Sequence, residues 1–220
     1  MTHKRKQLYP TKVVDNVLIA NDVHYISLEK SFDFYPGQVI ALALNKDDEP
    51  RLYSIASGNN EAHLSILFDI KPDGELTPPL ARAKKGDEVY ISQAFGKFLC
   101  QHTPAYWIAT GTGIAPFLSI LESKDTKNIK LLHGARTLDK FFFQNTFEEK
   151  LGANYLRFCT TETNDKVIAG RLTNYLQETE ALPTDYKYYL CGSSQMVIDV
   201  REILINKGIP FDNIIAEIYF

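Results

Sequence analysis

The chain has 220 residues, 45% hydrophobic and 23% charged, with a formal net charge of −3, the composition of an ordinary globular protein of one large or two small domains. A slightly acidic chain with no basic helix carrying interleaved aromatics argues against nucleic-acid binding, and no stretch approaches the run of about eighteen apolar residues that a membrane span requires. The three cysteines, Cys100, Cys159 and Cys191, are too scattered for a disulfide framework or a metal site; an iron–sulfur cluster needs about four thiolates, so any such centre must sit on a separate protein. The basic opening Met1-Thr2-His3-Lys4-Arg5-Lys6 leads into Gln7-Leu8-Tyr9-Pro10 and not into an apolar signal core, so a cytoplasmic location is expected.

Up to about Leu99, short runs of alternating polarity predict strands over Thr11 to Ile19, Val23 to Glu29, Gln38 to Leu44, Leu52 to Ala56, His63 to Ile70 and Glu88 to Ser92. Turn residues separate them, among them Asn21-Asp22, Pro36-Gly37 and Lys85-Gly86-Asp87. Short strands without long helices argue for a small, six-stranded antiparallel barrel. One short helix is expected between Leu76 and Lys84, beginning near a proline. Beyond Gln101 the rhythm changes. Strands over Trp107 to Thr110, Ile129 to Gly134, Tyr155 to Thr160, Lys187 to Cys191 and Ile214 to Ile218 alternate with helices over Ala115 to Leu121, Leu138 to Lys150, Arg171 to Glu178 and Ser194 to Lys207. That alternation implies right-handed βαβ units and a parallel sheet. The expected organisation is an antiparallel domain over residues 1–101 and an α/β domain over 102–220, with the boundary at Gln101-His102-Thr103-Pro104.

Two segments carry chemistry. Arg51-Leu52-Tyr53-Ser54 places a cation, an aromatic face and a hydroxyl on one strand; alternate side chains share a face, so Arg51 and Tyr53 point one way, Leu52 and Ser54 the other. A bend or a ligand at the strand end would gather Arg51, Tyr53 and Ser54 around one flat, phosphorylated molecule, although such runs are common in strands that bind nothing. About sixty residues later, Thr110-Gly111-Thr112-Gly113-Ile114-Ala115-Pro116 joins an apolar strand to a helix. A Gly-rich strand-to-helix turn offers backbone N–H groups to an anion, commonly a nucleotide phosphate. Pro116 at the last position departs from the dinucleotide fingerprint, which leaves a plain tight turn as the alternative.

With Tyr188-Tyr189-Leu190-Cys191-Gly192-Ser193-Ser194-Gln195-Met196-Val197, Gly74-Glu75-Leu76-Thr77-Pro78 and the terminal Ala216-Glu217-Ile218-Tyr219-Phe220, the ordered segments resemble the ferredoxin–NADP⁺ reductase family, most closely its short bacterial members. The resemblance runs along nearly the whole chain. It implies FAD held by Arg51, Leu52, Tyr53 and Ser54, with Gly74, Leu76 and Thr77 on its phosphates and Thr112 nearby. It implies a pyridine nucleotide at Gly111, Thr112 and Gly113, with Cys191, Gly192, Gln195 and Met196 beside it. Ser54, Cys191 and Glu217 are expected at the reacting rings, and Tyr219 as an aromatic cover that moves aside for the nicotinamide. Phe220 would cover the second flavin face or the adenine.

Arg136, in His133-Gly134-Ala135-Arg136, and Arg171, in Ala169-Gly170-Arg171, match two arginines that hold the 2′-phosphate in short bacterial members. A third falls in Thr160-Thr161-Glu162, where Thr161 stands in the arginine's place. NADP(H) is favoured, with NAD(H) left open. Lys71, Arg82, Lys84, Lys85 and Lys97 would steer an acidic one-electron carrier, although a charge run is more often a solvated face. The implied activity is hydride transfer between NADP(H) and FAD, then single-electron exchange with ferredoxin or flavodoxin as a separate protein. The alternatives are an NAD(P)H–flavin reductase that releases reduced flavin, and an electron-transfer subunit of a larger complex.

Overall fold

The alternation that runs to Leu99 becomes a six-stranded antiparallel sheet in the computed structural model, which describes residues 6–219. Its strands are β1 (Tyr9–Ala20), β2 (Val23–Glu29), β3 (Val39–Ala43), β4 (Arg51–Ser54), β5 (His63–Asp69) and β6 (Glu88–Ile91), in the order β4-β3-β6-β1-β2-β5. β1 pairs with β6 over Tyr9 to Lys12 and with β2 from Val13 onward, and so turns from one neighbour to the other along its length. Every residue of β3 is buried. Ile40 and Leu42 enter the main core with Ile66 and Phe68, while Ala41 and Ala43 pack with Leu8 on the opposite face. Just past β4, Ile55 forms an antiparallel bridge with Ile66 of β5, and the Ala56 N–H donates to Ser65 O at 2.7 Å. The expected antiparallel architecture is therefore present. Its edges touch at one bridge and not along a full ladder, because β4 ends after four residues. The short helix α1 (Thr77–Ala81) lies between β5 and β6.

The second sheet is parallel, with β7 (Ala105–Thr110), β8 (Ile129–Ala135), β9 (Tyr155–Cys159), β10 (Ile168–Ala169), β11 (Lys187–Ser193) and β12 (Ile214–Tyr219) in the order β10-β9-β8-β7-β11-β12. A sheet buried on both faces demands continuous apolar strands, and the first five residues of β7 are all buried. The helices are α2 (Ala115–Ser123), α3 (Gln144–Leu151), α4 (Leu172–Glu178) and α5 (Ser194–Asn206). Ile108, Leu132, Leu190, Val200 and Leu204 stand in its core.

Two elements depart from expectation. β10 has two residues, too few for any periodicity. The helix expected over Leu138 to Lys150 is broken: a 3₁₀ turn covers Leu138–Lys140, and α3 starts at Gln144 after Phe143, whose φ is +56°. Phe141 and Phe142 are both buried, and consecutive helical side chains diverge by about 100°, so an unbroken helix would expose one of the rings. By packing, the first unit runs to Leu99 and takes in Leu118–Ser123, and the second holds Cys100–Phe117 and the chain from Lys124 onward.

Candidate functional site

The parallel sheet reverses its order between β7 and β11: the chain moves outward through β8, β9 and β10, then returns to the other side of β7. In open α/β sheets the crevice beyond the carboxyl ends of the strands at such a reversal is where ligands bind. The residues there are Thr110 to Pro116 after β7 and Cys191 to Ser193 at the end of β11. Gly111–Ile114 form a 3₁₀ turn that feeds α2, and the first N–H groups of a helical segment lack intrahelical acceptors. At Gly113 a Cβ would come 2.3 Å from Cys191 O and 2.6 Å from Gly192 Cα. The turn lies flat on the β11 end because it has no side chain there. Gly192 faces Thr110 in the same way, a Cβ falling 2.4 Å from Thr110 Oγ1. That hydroxyl is buried and makes no hydrogen bond among the described residues. A buried, unspent hydroxyl in a glycine-lined cradle fits a polar ligand, so these residues suit a nucleotide. In the sequence Thr110 falls in the turn segment but not among the expected binding residues, because it reads as the last residue of a strand.

Cys191 pairs directly with Glu217 across β11 and β12, and Ser193 with the backbone of Tyr219. Burial pushes the Cys100 thiol well up, Lys124 opposing and Cys191 and Glu217 adding, so Cys100 and Lys124 share this neighbourhood. Ser193 caps α5, its hydroxyl accepting from the Met196 N–H at 3.4 Å. Gln195 is exposed and donates to Asp199 Oδ1 at 2.7 Å. Met196 is buried in the core, its Cε 2.8 Å from where a Gly192 Cβ would stand. It therefore backs the cradle from within. The Tyr219 ring and the whole of Phe220 lie outside the described residues.

One row of the sheet runs Ala135↔Cys159↔Ala169 across β8, β9 and β10. Ala135 and Ala169 are two strand spacings, roughly 9–10 Å, apart; Arg136 follows the first directly, and Arg171 follows the second after Gly170. A span of that size is within the combined length of two arginine side chains. Both are exposed, and neither forms an ion pair among the described residues. Thr161 lies between them in the chain, with its hydroxyl donating to Arg136 O at 2.6 Å.

In the antiparallel unit, β4 pairs with β3 so that Arg51 and Tyr53 lie opposite Leu42 and Ile40, and Leu52 and Ser54 opposite Ala41 and Val39. The expected division of faces holds. Tyr53 is half-buried, edge-on to Phe68 at 6.3 Å, and Phe68 is stacked on His24 at 5.4 Å. Burial pushes the Tyr53 hydroxyl up to about 12, Arg51 opposing and Asp69 adding, so the ring stays neutral at physiological pH. Arg51 is exposed, Leu52 is 58% exposed and Ser54 is buried.

Gly74 closes a turn by donating its N–H to Lys71 O at 2.8 Å, and Leu76 takes the N-cap position of α1. Thr77 Oγ1 accepts from the Lys71 N–H at 2.8 Å. The hydroxyl keeps its own hydrogen to give, which suits a phosphate oxygen. The far end of α1 is held by Asn16, whose Nδ2 donates to Leu80 O, Ala81 O and Ala83 O at 3.1, 3.3 and 2.9 Å. Asn16 Oδ1 must then accept, so His24 Nδ1, 2.8 Å away, carries the hydrogen. Asn16, His24 and Phe68 support the site and gave no sequence signal beyond two polar residues in strands. Lys71, Arg82, Lys84, Lys85 and Lys97 are all exposed.

Residues 107–202 match the oxidoreductase NAD-binding domain family. The flavodoxin/ferredoxin–NADP reductase of Escherichia coli (strain K12) is 34% identical, covering 76% of this chain and 77% of that protein. A solved ferredoxin NADP⁺ reductase from Neisseria gonorrhoeae, with bound FAD and NADP, has the same fold, with a TM-score of 0.87 at 22% identity over 97% of this chain and 99% of that one. The ferredoxin–NADP reductase of Pseudomonas aeruginosa is 31% identical over 80% of both proteins, and this chain belongs to the ferredoxin–NADP reductase family.

Proposed function

We propose that this chain is a flavoprotein oxidoreductase that transfers a hydride between NADP(H) and FAD and passes single electrons to or from ferredoxin or flavodoxin. The observation that carries the reading is the glycine cradle of Gly111, Gly113 and Gly192 at the sheet's switch point, with the Thr110 hydroxyl buried and unspent inside it. Residues 1–101 form the flavin half and 102–220 the nucleotide half. Bound FAD supplies the two-electron and one-electron chemistry; the chain supplies binding, orientation and electrostatics.

Tyr53 offers a neutral ring, braced by Phe68, to one face of the isoalloxazine. Arg51 gives the planar fork of donors that a pyrophosphate takes. Ser54 lies in the same strand to hydrogen-bond near the reactive ring nitrogen. The Gly74, Leu76 and Thr77 segment adds amides and one free O–H. On the nucleotide side, the amides of Gly111, Thr112 and Gly113 and the Thr110 hydroxyl hold the phosphates and ribose. Arg136 and Arg171 flank the 2′-phosphate. Cys191 and Glu217, paired on adjacent strands, border the nicotinamide. Tyr219 would serve as the aromatic cover of the flavin, giving way to the nicotinamide. The exposed lysines and Arg82 of the flavin half attract an acidic carrier.

The test is to purify the chain, release its flavin and follow anaerobic reduction by NADPH with and without ferredoxin or flavodoxin. The expected outcome is a yellow protein that releases FAD, is bleached by NADPH and reduces the carrier without releasing reduced flavin. A colourless chain, or one that discharges reduced flavin to solution, overturns the proposal.

A further inference from the structure

Three donors converge on the main-chain carbonyl of Arg136: Thr161 Oγ1 at 2.6 Å, the Thr161 N–H at 3.1 Å and Cys159 Sγ at 3.3 Å. On one side of this point the Thr160 N–H donates to Ala135 O at 3.2 Å, and on the other Glu162 Oε2 accepts from the Leu138 N–H at 2.6 Å. The β8–β9 register ends at Ala135↔Cys159. The segment from Ala135 to Leu138 is thus tied to the segment from Cys159 to Glu162 beyond the sheet, where a strand end would ordinarily fray.

Within the second segment, neither Thr161 nor Glu162 is suited to grip a phosphate. A threonine hydroxyl has one hydrogen to donate, and Thr161 spends it on Arg136 O. Phosphate oxygens at neutral pH accept, so a hydroxyl already donating elsewhere has nothing to give them. Glu162 is an acceptor with the same sign of charge as the phosphate. Both are instead committed to the backbone at and just after Arg136, Thr161 to Arg136 O and Glu162 to the Leu138 N–H; the Arg136 guanidinium is exposed and without an ion pair among the described residues.

We propose that Thr161 and Glu162 form a clamp that positions Arg136, and that Thr161 thereby sets the preference for NADP(H) over NAD(H) without touching the nucleotide. The inference rests on the assignment of Arg136 to the 2′-phosphate made above. Holding the backbone of a long, rotamer-rich side chain in the free protein reduces the ordering that binding must impose. The clamp acts on one end of the nucleotide, so its effect belongs in affinity and not in the rate of hydride transfer. Replacing Thr161 by arginine brings a cation but removes the hydroxyl that ties Arg136 down. Its benefit is therefore smaller than that of a cation added to an intact clamp.

The test compares Thr161→Val, Thr161→Ser, Arg136→Ala and the Arg136→Ala/Thr161→Val pair in the FAD-loaded chain. Steady-state kinetics with NADPH and NADH are joined by titration with 2′-phospho-AMP and 5′-AMP. Thr161→Val should raise the KM for NADPH and the Kd for 2′-phospho-AMP about three- to tenfold, the range of one neutral hydrogen bond. The kcat, the KM for NADH and the Kd for 5′-AMP should stay within about twofold. Thr161→Ser should restore most of the affinity, and the double variant should be no weaker than Arg136→Ala. If Arg136→Ala weakens NADPH and Thr161→Val does not, or if Thr161→Val weakens both nucleotides alike, the clamp is refuted. If Arg136→Ala itself leaves NADPH unaffected, the assignment of Arg136 fails and the clamp with it.

Discussion

Gly113 is the position where a single methyl group asks most of this protein. An alanine there would place its Cβ 2.3 Å from Cys191 O, 2.5 Å from Cys191 C and 2.6 Å from Gly192 Cα, while ordinary contact begins near 3.4 Å. All three obstacles are main-chain atoms of a central strand, so no rotamer change relieves the crowding. The turn must withdraw from β11 by about 1 Å, in an interior packed too densely to absorb it. Gly113 is not among the residues with positive φ, so the substitution isolates crowding from backbone strain. Overpacking of this kind costs about 1–3 kcal/mol of stability, and a misplacement of about 1 Å in a positioning element costs on the order of a hundredfold in rate. Gly113→Ala should therefore keep its FAD, unfold at lower urea, and lose about a hundredfold in kcat/KM for NADPH with ferricyanide as acceptor. Gly111→Ala is the matched control: its φ is +56° and a Cβ there meets nothing within 4 Å. It should lose about 1–2 kcal/mol to the left-handed conformation and leave the turn in place, with a much smaller kinetic effect. A Gly113→Ala chain that keeps wild-type kcat/KM would refute the cradle as the nucleotide site.

Arg51→Ala should shed FAD during gel filtration, and full stoichiometric flavin in that variant would remove Arg51 from the pyrophosphate site. A chain ending at Ile218 should bind NADPH and NADH more tightly and discriminate less between them, because nicotinamide stacking no longer competes with a ring; unchanged KM values for both would make the terminal aromatics structural. His133 is fully buried, and burial, with Arg157 adding, lowers its pKa from 6.5 to about 3. The folded value lies below the unfolded one, so the unfolded chain takes up the proton first. Stability present above pH 6.5 is lost as the pH falls toward 3. By pH 5 this one group accounts for about 2 kcal/mol. Urea unfolding at pH 7 and pH 5 should show that loss in the wild type and a smaller one in His133→Gln; equal losses would mean that the imidazole does not carry the slope.

What the sequence made legible is what depends on near neighbours along the chain. Alternation from Val23 to Glu29, and the apolar run that ends at Thr110, each report one strand's own surroundings, and both strands stand where that pattern puts them. The Gly111 to Pro116 turn was readable for the same reason, since a strand, glycines and a helix follow one another directly. What Gly113 touches was not, because Cys191 and Gly192 approach it only through the crossover that brings β11 beside β7. Asn16 was silent for the same reason: its partners are carbonyls of Leu80, Ala81 and Ala83, and a carbonyl leaves no mark in a sequence. The aromatic run at Phe141 to Phe143 misled, since helical propensity is a weak prior against the burial of two adjacent rings.

Thr161 shows how counting charges and tracing hydrogen bonds lead to different estimates. By the family resemblance alone, the position lacks one expected phosphate cation, a loss of about 1.5–3 kcal/mol for a charge-assisted bond. Traced in the fold, the same residue supplies a neutral hydrogen bond to Arg136 O, worth about 0.5–1.5 kcal/mol, and spends it on an arginine already present. Restoring arginine at 161 exchanges one contribution for the other, so the net gain in NADPH affinity is about 1 kcal/mol, or about fivefold. A gain of a hundredfold would mean that Arg136 holds its place without the threonine. A loss would mean that the new side chain never reaches the phosphate, while the clamp it displaced had been holding one that did.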